Sequence, residues 1–175
     1  CKPKLIYVTP TFNNPTGYSW SNSYRKKFLE VVNKYNILVL EDDPYSLINF
    51  TNIKYKSLYK LNNRENVIYL GTFSKYISPS INVGYILSND TLLDILYNFK
   101  ESFDLGTSLF NQLIVLNYLK NNNINKTLRN RLKIYKKLLN ETLKSITSDC
   151  ENSILYYSKS KGGLFIHLKF NNEVD

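Results

Sequence analysis

One lysine in this sequence stands where it could attack a carbonyl. Lys75 closes Gly71-Thr72-Phe73-Ser74-Lys75, directly after the apolar run Val67-Ile68-Tyr69-Leu70 and ahead of Ile77-Ser78-Pro79-Ser80. A strand ending in a turn of small residues offers backbone amides, here with two hydroxyls beside them, as a cradle for a phosphate. A lysine held there away from bulk water gives up its proton more readily and becomes a nucleophile for an aldehyde. The combination suits an anionic cofactor bearing an aldehyde, although by itself the pentapeptide is weak evidence, a lysine after a strand being most often a solvated surface residue. Two further groups come after apolar runs. Asn14 lies in Thr11-Phe12-Asn13-Asn14-Pro15-Thr16-Gly17, just after Leu5-Ile6-Tyr7-Val8, with Pro15 restricting its backbone. Ile37-Leu38-Val39-Leu40 is followed by Glu41-Asp42-Asp43-Pro44-Tyr45. Three consecutive carboxylates behind a hydrophobic run are costly to bury unless something positive meets them.

The elements that must position these groups are readable in outline. Leu5–Val8, Ile37–Leu40 and Val67–Leu70 are short apolar runs of buried-strand type, and residues 82–87 make a fourth. From Ser21, a plausible N-cap, an amphipathic helix carries Tyr24, Phe28, Val31, Val32 and Tyr35 on one face, with Arg25, Lys26, Lys27 and Lys34 outside it. Strand, helix, strand implies a right-handed crossover and a parallel sheet, in which ligands gather beyond the carboxyl ends of the strands. Asn14, Asp42, Tyr45 and Lys75 all fall there. Residues 51–65 read as a loop. Helices come next at about 91–103, 108–120 and 125–146, then strands at 153–157 and 164–168 around Lys159-Ser160-Lys161-Gly162-Gly163. The change from alternating elements to helices and then strands puts a domain boundary at the long helix, giving 1–124 and 125–175.

Composition narrows the class. A hydrophobic share of 43% over 175 residues supports a packed core. No apolar stretch approaches the roughly 20 residues of a membrane span. Cys1 and Cys150 show no metal spacing, so a reducing cytoplasmic setting is expected, with no disulfide framework and no metal. Much of the net charge of +9 sits between Lys126 and Lys144 and reads as a solvated helix face; nucleic acid enters only if a separate upstream domain exists. His167, the sole histidine, fits a structural strand position, and two adjacent carboxylates on a strand point opposite ways, against a metal at Asp42 and Asp43. The chain contains no Met and opens directly into a strand, as an internal fragment would.

Asn-Pro-Thr-Gly at 14–17, Asp42-x-x-Tyr45 and Gly-Thr-Phe-Ser-Lys at 71–75 stand in an order and spacing that resemble the class I/II aminotransferases. The Glu-Asp-Asp-Pro-Tyr wording and the Gln112 region resemble the 2-aminoadipate-type branch, whose module MocR-type transcription regulators share. The resemblance runs from Leu5 to about Leu168. It implies a fold type I α/β architecture: a mostly parallel sheet flanked by helices, the later part of a large cofactor domain, then a long helix into a small α+β domain. It implies pyridoxal 5'-phosphate as cofactor, amino acid and 2-oxo acid substrates, and a homodimer. Lys75 would carry the internal aldimine and move the α proton. Asp42 would pair with the pyridinium nitrogen. Tyr45 and Asn14 would bond the ring's phenolic oxygen, Asn14 also meeting the substrate carboxylate, and Thr72 and Ser74 would join the phosphate cup. A cofactor-binding module of a MocR-type regulator, a carbon–sulfur lyase and a non-catalytic copy are the alternatives on the same scaffold.

One position departs from the pattern. The family phrase Pro-Gly-x-Arg-x-Gly here reads Pro79-Ser80-Ile81-Asn82-Val83-Gly84, with Asn82 where an arginine would pair with the phosphate. Loss of a charged, fork-like contact predicts a phosphate site weaker by about 1–3 kcal/mol. The stacking aromatic, the glycine-rich phosphate loop and the substrate-carboxylate arginine of the family are not found in these residues, so the piece alone is expected to be inactive and poorly stable, with a sheet edge and a dimer surface left open.

Overall fold

The computed structural model describes residues 3–63, 65–149 and 153–171. Cys1 and Cys150, with the expectation attached to them, lie outside that set. The described residues form two compact units. One draws on residues up to Pro10, on Trp20–Pro44 and on Lys54–Asn122; the other on Thr11–Ser19, Tyr45–Ile53 and the chain from Asn123 onward.

In the first unit, β1 (Leu5–Val8), β2 (Leu38–Asp42), β3 (Val67–Thr72) and β4 (Gly84–Leu87) form one sheet in that order. The pairs β1–β2 and β2–β3 are parallel and β3–β4 is antiparallel, so the sheet is mostly parallel, as expected. Both β2 and β3 run two residues further than their apolar runs, because ladder pairing continues through Glu41, Asp42, Gly71 and Thr72. β4 starts two residues later than the apolar pattern. A 3-10 turn over Pro79–Ile81 ends on Asn82 in the left-handed region at φ 48°, and pairing resumes only beyond it. Tyr85 stands opposite Gly71, and a Cβ on Gly71 would overlap its ring. That glycine is what lets the two strands close with an aromatic between them.

α1 (Asn22–Lys34) is capped as expected, Ser21 Oγ accepting the Tyr24 N–H at 3.1 Å. Its buried face is not the expected stripe. Arg25, Leu29 and Val32 point inward, whereas Tyr24, Val31 and Tyr35 are exposed. A helix stripe is chosen by what lies beneath it, and beneath this one lies a buried acid as well as hydrocarbon. Leu29 and Val32 join Ile37, Val39, Leu58 and Val67 in the core on one sheet face. Leu58 comes from α2 (Leu58–Leu61), a single helical turn inside the stretch expected to be loop. α3 (Asp90–Asp104) and α4 (Leu109–Asn121) come next, capped by Asn89 and Ser108; α3 has no buried residue, and Val115 of α4 packs with Ile81 and Val83.

The second unit contains α5 (Ile124–Asp149) and an antiparallel pair, β5 (Ile154–Tyr157) with β6 (Leu168–Phe170). β6 begins at Leu168, later than the 164–168 pattern implies. The amide of His167 bonds the Ser158 hydroxyl at 2.9 Å, so a side chain takes the place of a ladder carbonyl. Phe12, fully buried, packs against Gly162 and Gly163, and Gly163 N–H reaches Ile48 O at 2.7 Å, joining the three separate stretches of this unit.

Glu41 decides much of the first unit's packing. Its side chain is fully buried, accepts the N–H groups of Leu58 and Tyr59 at 2.9 and 3.0 Å, and lies 3.8 Å from the equally buried Arg25 guanidinium. Burial outweighs these favourable partners and pushes its carboxyl up to about 7. The folded state therefore takes up a proton that the unfolded chain, ionising at the ordinary value of 4.5, has already lost. Its stabilising contribution is complete below the unfolded value and is lost as pH rises through the folded one. Chemical denaturation between pH 4 and 8 should show a stability falling by up to ~3 kcal/mol from this source. Glu41→Gln should be less stable throughout but without that slope.

Candidate functional site

The three acids at the end of β2 are met by different groups because alternate residues of a strand face opposite ways. Glu41 and Asp43 lie on the core face. Asp43 is 4% exposed and accepts the Tyr69 hydroxyl at 2.9 Å; burial, then the Asp43 charge, pushes that phenol far up. Asp42 lies on the opposite face, half-buried, and accepts the Tyr7 hydroxyl at 2.6 Å. The bond to Asp42, then burial, raises the Tyr7 phenol to about 12. Among the described residues no cation pairs with Asp42 and no other side chain bonds it, so Oδ1 is left as an acceptor.

The lysine turn leaves the adjacent strand. Asp42 is opposite Leu70 in the ladder, and Thr72 lies two residues beyond. The Thr72 hydroxyl accepts the Ser74 N–H at 3.1 Å and is 3.4 Å from Val83 O, while Phe73 N–H bonds Val83 O at 2.9 Å. Thr72 thus shapes the turn with its side chain. Ser74 Oγ has no partner among the described residues. Lys75 is exposed and not held away from bulk water as expected, since the turn closed by the Tyr76 and Ile77 N–H groups on Phe73 O carries its side chain outward. Asn82 is exposed, in the left-handed conformation that asparagine tolerates better than most residues.

Asn14 and Tyr45 belong to the second unit. Asn14 is exposed and joined to Pro15 by a cis peptide, in a loop closed by Asn13 N–H to Tyr18 O at 2.9 Å and by Thr16 Oγ1 to Asn13 Oδ1 at 2.8 Å. Tyr45 is 7% exposed, its ring edge-on to Phe165 at 5.6 Å. No cluster of His, Cys, Asp or Glu suited to a metal occurs among the described residues, and no described helix is long and apolar enough to cross a membrane.

The family model for aminotransferase class I and II matches residues 2–175. The chain belongs to the class I and II aminotransferases. Among family relatives, aromatic-amino-acid aminotransferase 1 of Thermococcus litoralis is 29% identical over 99% of this chain and 42% of its own length. The HTH-type transcriptional regulator NorG of Staphylococcus aureus is 30% identical over 99% of this chain and 39% of its own. Pyrococcus horikoshii kynurenine aminotransferase, solved with PMP, superposes with a TM-score of 0.91 at 30% identity over 98% of this chain and 42% of that one. Thermus thermophilus LysN, an alpha-aminoadipate aminotransferase solved with N-(5'-phosphopyridoxyl)-L-leucine, gives 0.92 at 29% identity over 98% of this chain and 44% of that one. The fold is therefore that of the fold type I aminotransferases, and this chain spans about two fifths of such proteins' length.

Within this aminotransferase framework, sequence patterning passed over Tyr7, Arg25 and Glu41. The signal for the last two was the cost of a buried acid, which required a cation and left its source open. Tyr7 carried no signal beyond strand alternation. Replacing Asp42 by Asn should let the Tyr7 phenol ionise nearer its usual value of 10. A tyrosinate absorbance titration, differenced against Tyr7→Phe, checks this; a Tyr7 component still near 12 would contradict the assigned bond.

Proposed function

We propose that this protein is a pyridoxal 5'-phosphate-dependent aminotransferase, moving an amino group between an amino acid and a 2-oxo acid. The observation that carries the reading is the Ser74-Lys75 turn leaving β3 beside Asp42 on β2, in a chain matched to the family over residues 2–175. The donor set suits the cofactor. A half-buried carboxylate with one oxygen held and the other open fits a protonated ring nitrogen, a free hydroxyl on a small-residue turn fits a phosphate, and an exposed lysine is available to an aldehyde. When bound, the cofactor supplies an electron sink for the bonds at the substrate's α carbon. Lys75 Nζ would hold the cofactor at its aldehyde carbon and, once the substrate's amino group has displaced it as a free amine, would take and return the α proton. Asp42 keeps the ring nitrogen protonated. Ser74 donates to the phosphate from a turn that Thr72 shapes, and Asn14 and Tyr45 take the phenolic oxygen, with Asn14 also on the substrate carboxylate.

On this reading residues 1–124 are the later part of the large cofactor domain, and 125–175 are the linking helix with the start of the small domain. The protein works as a cytoplasmic homodimer; exposed Phe99, Phe103 and Phe110 support an apolar partner surface. A second reading, the ligand-binding module of a transcription regulator, is supported by the 30% identity to NorG. Amino-group transfer to a 2-oxo acid acceptor separates the two, and pyruvate with ammonia in the absence of acceptor would mark a carbon–sulfur lyase.

Borohydride reduction of the cofactor-loaded protein should label the peptide carrying Lys75, and Lys75→Ala should lose both the label and the visible band. If Lys75→Ala binds and absorbs as the parent does, the site is elsewhere. Asn82→Arg should tighten cofactor binding about tenfold by adding a charged phosphate contact. It should cost the fold about 1 kcal/mol, because arginine is less suited to the left-handed backbone. Unchanged affinity on titration would show that position 82 does not face the phosphate.

A further inference from the structure

The carboxyl end of β2 repeats one arrangement on its two faces. Tyr7 of β1 is opposite Leu40 in the ladder and therefore diagonal to Asp42 on the same face. Tyr69 of β3 is opposite Glu41 and diagonal to Asp43 on the other. Each tyrosine reaches one step along its neighbour to bond an acid, at 2.6 and 2.9 Å. On the core face the bond satisfies a buried carboxylate, which is a structural need. On the other face it does something else, because Tyr7 is 57% exposed and Asp42 only half-buried, so water could satisfy either group.

We propose that Tyr7 is a positioning residue for Asp42, fixing Oδ2 so that Oδ1 presents to the cofactor's ring nitrogen. This rests on the pairing of Asp42 with that nitrogen proposed above. Asp42 is the last residue of β2, its backbone tied to β3 by the Asp43 N–H to Leu70 O bond at 3.0 Å, but its carboxylate, apart from the Tyr7 bond, is free to rotate about its side-chain torsions. Tyrosine restrains it at small entropic cost, having two side-chain torsions and a stem set by the strand. The distance lies in the range of about 2.5–2.7 Å for a hydroxyl on an ionised carboxylate. The bond also draws negative charge from the carboxylate and lowers its basicity, so a proton shared with the ring stays on the ring nitrogen. Without it the carboxylate rotates and competes for that proton.

The test uses the full-length protein loaded with ring-15N cofactor, comparing wild type with Tyr7→Phe, Tyr69→Phe and Asp42→Asn. The ring-nitrogen resonance of Tyr7→Phe should move toward that of neutral pyridine, and kcat should fall about tenfold with KM little changed, the scale of one hydrogen bond to a charged group. Tyr7 is largely exposed, so the variant keeps its fold. Tyr69→Phe should lower the denaturation midpoint and leave the resonance in place. If Asp42→Asn shifts the resonance and Tyr7→Phe does not, Tyr7 has no positioning role while the Asp42 pairing stands. If neither shifts it, the Asp42 pairing fails and the role of Tyr7 with it. An equal shift in Tyr69→Phe would mark a general loosening and overturn the assignment.

Discussion

A buried arginine holds the working end of the sheet. Arg25, fully buried under α1, donates to Pro10 O at 2.7 Å, Trp20 O at 3.1 Å and Lys56 O at 3.2 Å while facing Glu41. Those carbonyls lie just beyond β1, just before α1 and just before α2. One planar, permanently charged group thus ties three connections to the carboxyl end of β2. The pair is not strong evidence of net stability, since desolvating two charges offsets much of their attraction; removing one partner, however, strands the other at a cost of about 3–5 kcal/mol. Its consequence is geometric. Glu41 cannot move, so its neighbour Asp42 is delivered to the other face at a fixed height.

Given that constraint, strand geometry sets the rest of the site. Alternation sends Glu41 and Asp43 into the core and Asp42 out of it, and parallel pairing sets the lysine turn beside it. The turn is held by its own hydroxyl chemistry, with the Thr72 side chain bonded to the backbone and the Ser74 hydroxyl without a partner among the described residues. Gly71 leaves room for the Tyr85 ring between strand and turn. The same scaffold serves named aminotransferases and a named regulator among the relatives, so fold alone does not separate turnover from sensing. What separates them is turnover, not the presence of the acid and the lysine, and Asn82 is where this chain differs from the family phrase.

Local chemistry was enough to read the elements whose cause is local. Strands declared themselves as continuous apolar runs, although only β2 and β3 bury residues while β1 and β4 have none buried, because no described layer covers them as the core covers the central pair. Ser21 declared itself as a cap, and the motif residues at 14–17, 42–45 and 71–75 as a family resemblance that the match over 2–175 supports. The parallel sheet came from the alternation of strand and helix. The elements that pattern misplaced depend on contacts distant in sequence. α1 turns Arg25 inward because an acid 16 positions later is buried beneath it. α2 forms where Glu41 caps its first amides, and β6 starts late because Ser158 takes the His167 amide. Periodicity records which residues are apolar but carries no record of a polar partner that packing will supply. Tyr7 is the sharpest instance: a strand tyrosine by pattern, and a ligand of Asp42 only once register sets it one diagonal step away.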